Sequence, residues 1–430
     1  MSSVGVVGAG YVGLTTAACF AHLGHSVVCV DIDEDRVDRL AKGDVPILEA
    51  GLPEMVGKGL ASGNLRFAVG AAAACRGADF VFLCVPTPQG DDGAADLGVV
   101  DDVTREMAPI LRPGTIVVNK STMPVGSTLR VTRTLRASGV APDVQVVSNP
   151  EFLREGTAVA DFLHPHRIVV GADDPSVAVR VFELYKGVQA PVVVTDPQSA
   201  EIIKYASNAF LATKVSFVNA IANLCESVDA DVRTVALGMG YDPRIGFEFL
   251  QPGPGWGGSC FPKDTAALLH ASREAGYDFS LLEGVVEVNE QQRHRMVAKV
   301  LEVHGRSLQD ARIAVWGLTF KANTDDLRDS PAVAIANRLV AEGAEVRAYD
   351  PAASEVAAAS CPTLQIVSDP YDACDGADVL VVLTEWDEFR WLDFDRVAAT
   401  MAAPKIVDTR NLLDPAAIRR RGFVYVGVGR

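Results

Sequence analysis

One octapeptide, Gly257-Gly-Ser-Cys260-Phe-Pro-Lys263-Asp264, places a thiol, an ammonium and a carboxylate within about one helical turn of one another. Two glycines leave the backbone ahead of the thiol unshielded. A cation near a thiol favours the thiolate, and a carboxylate beside it can move protons. Seven other cysteines, at positions 19, 29, 75, 84, 225, 361 and 374, are scattered through the chain, several inside apolar runs such as SVVCVD and FVFLCVP. Without a CxxC pair they read as small buried hydrophobes in a reducing compartment. A lone cysteine is more often structural than reactive, and Cys260 differs only through its loop. It is the one cysteine read as a nucleophile.

A second pattern opens the chain. Gly8-Ala-Gly10-Tyr11-Val12-Gly13 follows an apolar run and precedes a helix-like stretch, and Asp31 closes the next apolar run eighteen residues after Gly13. In that setting the glycines let a pyrophosphate reach a helix N-terminus, and the carboxylate accepts hydrogen bonds from both ribose hydroxyls. Asp33 and Glu34 would repel a 2′-phosphate, so the expected cofactor is NAD. Arg36 is the only base nearby and reads equally as a solvated helix residue. Two further run ends, Val85-Pro86-Thr87-Pro88 and Lys120-Ser-Thr122, fall where a parallel sheet presents its ligand edge, though ordinary loop chemistry explains them as well.

These groups need a scaffold. Val4–Val7, Val27–Val30, Asp79–Val85, Ile116–Asn119 and Val144–Ser148 read as buried strands, separated by segments of crossover-helix length. The order predicts a doubly wound α/β sheet. After residue 310 the pattern repeats: VGVVGAGYVG (4–13) is echoed by IAVWGLTFKA (313–322), GHSVVCVDID (24–33) by GAEVRAYDPA (343–352), and GADFVFLCVP (77–86) by GADVLVVLTE (376–385). Between the repeats lies a strand-free stretch rich in Ala, Glu, Asn and Leu. Within it Ser199–Ser227 reads as one long helix, capped by Asp196 or Ser199 with Pro197 in its first turn. The expected fold class is α/β: two Rossmann-like doubly wound domains joined by a long central helix and a helical middle domain. The expected bounds are 1–195 for the NAD-binding part, 196–305 for the central part carrying the cysteine loop, and 306–430 for the second α/β part.

The charge balance is acidic, 55 Asp and Glu against 39 Lys and Arg, which argues against a nucleic-acid groove. The first thirty residues lack a basic n-region and an unbroken apolar stretch, so neither a signal peptide nor a membrane span is expected. The expectation is a cytoplasmic protein.

Seven ordered stretches resemble the UDP-glucose/GDP-mannose dehydrogenase family: VGAGYVGL (7–14), PTP (86–88), NPEFLREGTAVAD (149–161), RIVVG (167–171), EIIKYASNAFLATKVSFVNA (201–220), GGSCFPKD (257–264) and FKANTDDLRDSP (320–331). The resemblance implies a four-electron oxidation of a nucleotide-sugar C6 alcohol to the carboxylate, consuming two NAD. On that scheme Cys260 adds to the intermediate aldehyde, because an aldehyde is a poor hydride donor until a nucleophile adds to it. Loss of hydride gives a thioester, and water releases the uronate.

By the same resemblance Lys204 and Asn208, four residues apart on one helix face, support the oxyanion; for an isolated pair a solvated face would serve as well. Asp264 and Glu151 take acid–base and water-handling roles. Thr122 and Glu155 lie near the nicotinamide, and Glu155 reads otherwise as a surface charge. Pro86, Thr87, Tyr11, Val12, Lys263 and Arg328 join the cofactor set. The substrate set is Glu151, Phe152, Leu153, Lys204, Asn208, Arg244, Phe249, Leu250, Gly257, Cys260, Phe320, Lys321 and Arg410. Arg244 resembles an arginine that reaches the neighbouring subunit's ligand, implying a homodimer or larger homo-oligomer.

Phe261 resembles the UDP-glucose branch, whereas GDP-mannose relatives resemble GGSCLPKD. His166 stands where many members carry Asp, and Thr409 where Gly is frequent. His164 and His166 read as loop residues, and no metal is expected. Two rival readings remain: a two-electron hydroxy-acid dehydrogenase, which needs no thiol, and a non-catalytic NAD-sensing protein.

Overall fold

A computed structural model describes residues 1–90 and 92–430. The chain forms two compact units, residues 1–207 with 266–277, and residues 208–265 with 278–430.

In the first unit, short runs dominated by β-branched residues become strands β1 (Ser3–Val7), β2 (Ser26–Asp31), β3 (Leu65–Val69), β4 (Phe80–Leu83), β5 (Ile116–Asn119), β6 (Gln145–Ser148), β7 (Ile168–Gly171) and β8 (Val192–Thr195). They join as one sheet in the order β3-β2-β1-β4-β5-β6-β7-β8. Alternate residues feed two cores. Val4, Val6, Phe80, Phe82, Ile116 and Val118 pack on one face, and Val7, Val81, Leu83, Val117 and Val146 on the other. Burial on both faces is why these strands read as continuous apolar runs.

The expected parallel order holds through β6. Strand β7 then enters reversed, antiparallel to β6 at Ser148↔Gly171, while β8 runs parallel to β7. Antiparallel neighbours connect at one end of a sheet, so residues 149–167 stay at the C-terminal edge of β6. That reversal puts Asn149 to Gly156 beside the ends of β4 and β5.

The second unit contains β9 (Arg312–Trp316), β10 (Glu345–Tyr349), β11 (Gln365–Ile366), β12 (Val379–Val382), β13 (Lys405–Asp408) and β14 (Val424–Val426). Their order, β11-β10-β9-β12-β13-β14, matches that of β3-β2-β1-β4-β5-β6 strand for strand. Its two cores alternate likewise, with Ile313, Val315, Val379 and Val381 opposite Ala314, Trp316, Leu380 and Val382. The repeated sequence is a repeated fold.

Helix α1 (Tyr11–His22) follows the first glycine turn. Helix α2 (Pro197–Ser227) runs 31 residues. As expected, Asp196 accepts the Ser199 N–H at 2.7 Å at its start. Helices α3 (Phe261–Glu274) and α4 (Ser280–His304) follow the cysteine loop. Among the described residues no helix is long and apolar enough to cross a membrane.

Candidate active site

The first glycine turn divides its glycines by task. A Cβ on Gly8, whose φ is +100°, would lie 2.5 Å from Cys84 O, and one on Gly13 would lie 1.8 Å from Gly8 O. Both are required by the protein's own packing. A Cβ on Gly10 would meet nothing within 4 Å. This is where a ligand's backbone approach needs room, and α1 begins there with no side-chain cap on its amides. Asp31 accepts the Ala9 N–H at 2.8 Å and has Arg36 at 3.6 Å, which holds its carboxylate at the mouth of the turn. These residues fit a dinucleotide. Tyr11 does something else with its hydroxyl: it bonds the buried Glu49, and the Gly156 N–H donates to the same carboxylate at 2.7 Å. Val12 is half-buried and packs on the core.

At the ends of β4, β5 and β6 lies a buried polar group. Lys204 Nζ sits 2.8 Å from Glu151 Oε1, each side chain about 5 % exposed. Glu151 Oε2 accepts the Leu153 N–H at 2.7 Å. Burial alone would raise the Glu151 carboxyl, but the Lys204 ammonium and the Leu153 amide hold it below its ordinary value. Phe152 is covered by Arg167, 3.5 Å over its ring, with Lys204 at 5.5 Å. Thr122 and Lys204 line one small cavity together with Met123 and Glu201. Thr87 Oγ1 donates to Thr122 O at 2.8 Å, tying the two expected strand-end loops together. Pro86 is exposed and Glu155 half-buried.

In the second unit, Cys260 is half-buried whereas the other seven cysteines are buried. It stands immediately before α3, so the positive end of that helix falls at the thiol, a feature that favours negative charge there. Ser259 Oγ lies 3.5 Å from its sulfur. Asp264, in the first turn of α3, is fully buried; Lys263 Nζ bonds its Oδ1 at 2.8 Å and Asn208 Nδ2 its Oδ2 at 2.6 Å. Lys263 is thus seated on the carboxylate that follows the thiol.

The loop ahead of the thiol is held by buried amides that sequence reasoning missed. Asn289 of α4 accepts the Trp256 N–H at 2.8 Å and donates to Trp256 O at 3.0 Å. Gln292 donates to Gly253 O and Asn219 of α2 accepts Gly253 N–H, both at 2.8 Å. Trp256 Nε1 donates to Ser216 at 2.9 Å. Leu250 is buried, and Phe249 takes a left-handed φ of 64° at the loop's start. Gly257 is required by close approach, since a Cβ would lie 2.1 Å from Asp329 O. No spacing rule marks Asn289 or Gln292, which read as polar residues of an amphipathic helix. Glu49 carries no signal beyond being an acid in a loop.

Arg410 donates to Phe320 O and Leu383 O, both at 2.9 Å, and its guanidinium flanks Gly253. Phe320 in turn packs on Gly258, so these expected substrate residues do gather around the thiol loop. Lys321 is half-buried beside them, 5.6 Å over the Phe320 ring. Arg328 is exposed and bonds Asp326. Arg244 stands apart, highly exposed and paired with Asp242 at 2.6 Å.

Comparison with known proteins agrees over the whole chain. Residues 2–189 match the NAD binding domain of the UDP-glucose/GDP-mannose dehydrogenase family, 198–291 its central domain and 314–415 its UDP binding domain. A UDP-glucose 6-dehydrogenase of Rhizobium meliloti is 48 % identical, covering 99 % of both chains. One from Bacillus subtilis is 43 % identical over 100 % of this chain and 94 % of its own. The solved UDP-glucose dehydrogenase of the archaeon Pyrobaculum islandicum superposes with a TM-score of 0.93 at 38 % identity, covering 100 % of this chain and 98 % of that one.

Proposed function

The chain belongs to the UDP-glucose/GDP-mannose dehydrogenase family, and on that premise we propose that it oxidises the C6 alcohol of UDP-glucose to the carboxylate, giving UDP-glucuronate with reduction of two NAD. The carrying observation is the half-buried Cys260 at the start of α3, with Asp264 and Asn208 hydrogen-bonded beside it. A two-electron alcohol dehydrogenase has no use for such a thiol.

NAD, held by Gly8, Gly10, Gly13 and Asp31, supplies the hydride acceptor. The chain's own groups do the rest. As the hydride leaves C6 the alcohol proton passes to Glu151, and Lys204 against it stabilises the oxygen that becomes the aldehyde. Cys260 Sγ bonds the aldehyde carbon, and Asn208 and Lys204 hold the resulting oxyanion as the thiohemiacetal forms. After the second oxidation the thioester needs water at the same carbon. Glu151 accepts that water's proton, and Cys260 leaves as the thiolate and recovers, from Asp264 anchored by Asn208 and Lys263, the proton it gave up on addition. Thr122 and Glu155 order the nicotinamide end. Phe249, Leu250, Gly257, Phe320, Lys321 and Arg410 bind the nucleotide-sugar.

Three parts serve these tasks: 1–195 for the cofactor, 196–305 for the chemistry and 306–430 for the nucleotide. Phe210, Phe217 and Leu224 recur at seven-residue spacing on α2 and are all exposed, which supports pairing of two copies along that face. Arg244, highly exposed and paired only with its neighbour Asp242 among the described contacts, fits a group reaching into the partner. The seven buried cysteines, all thiols, fit the cytoplasm.

The test compares UDP-glucose, GDP-mannose, a thymidine diphosphate glucose and UDP-N-acetylhexosamines for wild type and Cys260→Ala. Turnover is expected with UDP-glucose and lost in the variant. Turnover restricted to another sugar, or an active Cys260→Ala enzyme, contradicts the proposal.

A further inference from the structure

We propose that Lys120 is a positioning residue that acts through Glu151: it is an interior counter-cation that keeps this carboxylate ionised when Lys204 turns its ammonium to the substrate. The proposal rests on the acid–base role given to Glu151 above.

Lys120 directly follows β5 and its side chain is buried. Its ammonium bonds Asn149 Oδ1 at 3.1 Å and the Tyr185 hydroxyl at 3.2 Å. Tyr185 also donates to Asn149 Oδ1 at 2.7 Å, and Asn149 Nδ2 donates to Val169 O at 2.7 Å. These hydrogen-bond partners are all neutral. A buried ammonium among neutral groups is costly unless a nearby negative charge balances it. Glu151, two residues beyond Asn149, is that charge.

Lys120 from the end of β5, Glu151 and Arg167 just before β7 line one small cavity, Lys204 from α2 bonds Glu151 at 2.8 Å, and the Cys84 thiol after β4 completes the surroundings. A second buried carboxylate, Glu201, is engaged by the amides of Gly126 and Thr128 at 2.6 and 2.8 Å. Glu151 thus faces two buried ammonium groups. Breaking a buried ion pair normally strands a charge. With Lys120 fixed behind it, Glu151 can release Lys204 to an oxyanion and keep a cation. Burial draws Lys120 down to about 8, against the pull of Cys84 and Glu151, so at neutral pH it still carries its proton.

The experiment is the pH profile of kcat/KM for UDP-glucose in wild type, Glu151→Gln, Lys120→Met, Lys120→Gln and Tyr185→Phe. Removing the cation raises the Glu151 pKa, so the acid limb is expected to move up by roughly half a pH unit or more in both Lys120 variants, with kcat down about tenfold and KM changed far less. Lys120→Gln keeps donors for Asn149 and Tyr185, so it is the variant to read if Lys120→Met does not fold. Tyr185→Phe, which removes an anchor and no charge, is expected to keep the wild-type limb. An unmoved acid limb in Lys120→Gln overturns the proposal. An acid limb that survives in Glu151→Gln overturns the role given to Glu151 and the proposal with it.

Discussion

The two glycine turns of this chain are built to one plan and differ in what they leave available. After β1, the Gly8 N–H donates to Val30 O and the Ala9 N–H to Asp31 at 2.8 Å. After β9, the Gly317 N–H donates to Tyr349 O and the Leu318 N–H to Asp350 at 2.7 Å. Asp31 ends β2, and Asp350 directly follows β10. Yet Asp31 is half-buried, with Arg36 its nearest cation, whereas Asp350 is buried and also receives Thr319 N–H at 3.0 Å, Thr319 Oγ1 at 3.1 Å and Trp386 Nε1 at 3.3 Å. Gly10, open to approach, corresponds to Thr319, whose side chain faces inward. The lesson is that the fold supplies the turn and the carboxylate, while a dinucleotide site needs the second glycine and a carboxylate left partly exposed. One turn leaves its carboxylate at the ligand edge; its counterpart spends the same carboxylate on the protein's own amides and side chains.

That contrast can be broken at single residues. The largest effect is expected from Gly317→Ala, because φ is +90° and a Cβ would lie 2.4 Å from Thr384 Cβ. Strain plus overpacking should cost about 3 kcal/mol or more, read as a fall in denaturation midpoint, with NAD affinity of the folded fraction unchanged. Next comes Gly10→Thr, which writes the second turn's residue into the first. The added Cβ meets nothing within 4 Å, so stability should hold while NAD affinity, measured by titration, falls about 100-fold, or roughly 2.7 kcal/mol. A variant that still binds NAD normally would remove the distinction between the turns.

The smallest pair of effects sharpens the comparison. Asp31→Asn should raise the KM for NAD about tenfold, roughly 1.4 kcal/mol, with little loss of stability. Asp350→Asn should do the reverse, costing about 1–2 kcal/mol of stability at unchanged KM for NAD, because Leu318 and Thr319 lose an anionic acceptor.

Much of this was legible in the amino-acid order, and the limits have physical reasons. The strands of both sheets announce themselves because burial on two faces demands unbroken apolar runs, and Gly8, Gly13 and Asp31 sit at spacings that a βαβ turn imposes. The reversal of β7 was not legible, since a four-residue apolar run carries no direction. Cys260 was picked out by its glycines, but its place before α3, which favours charge on the sulfur, depends on where the helix begins. Lys204 and Asn208 read equally as a solvated face; only the carboxylates of Glu151 and Asp264, brought in by the fold, give each a partner. Asn289, Gln292, Asn219 and Glu49 act by hydrogen-bonding backbone groups distant in sequence, and such contacts leave no local pattern.

The proposed mechanism uses a thiol to carry an aldehyde on to an acid. Its most direct test is the ratio of NADH formed to UDP-glucuronate released by the wild-type enzyme. Two NADH per uronate, with no free aldehyde, is the predicted result. One NADH per UDP-glucose consumed, with the aldehyde as product, would contradict it.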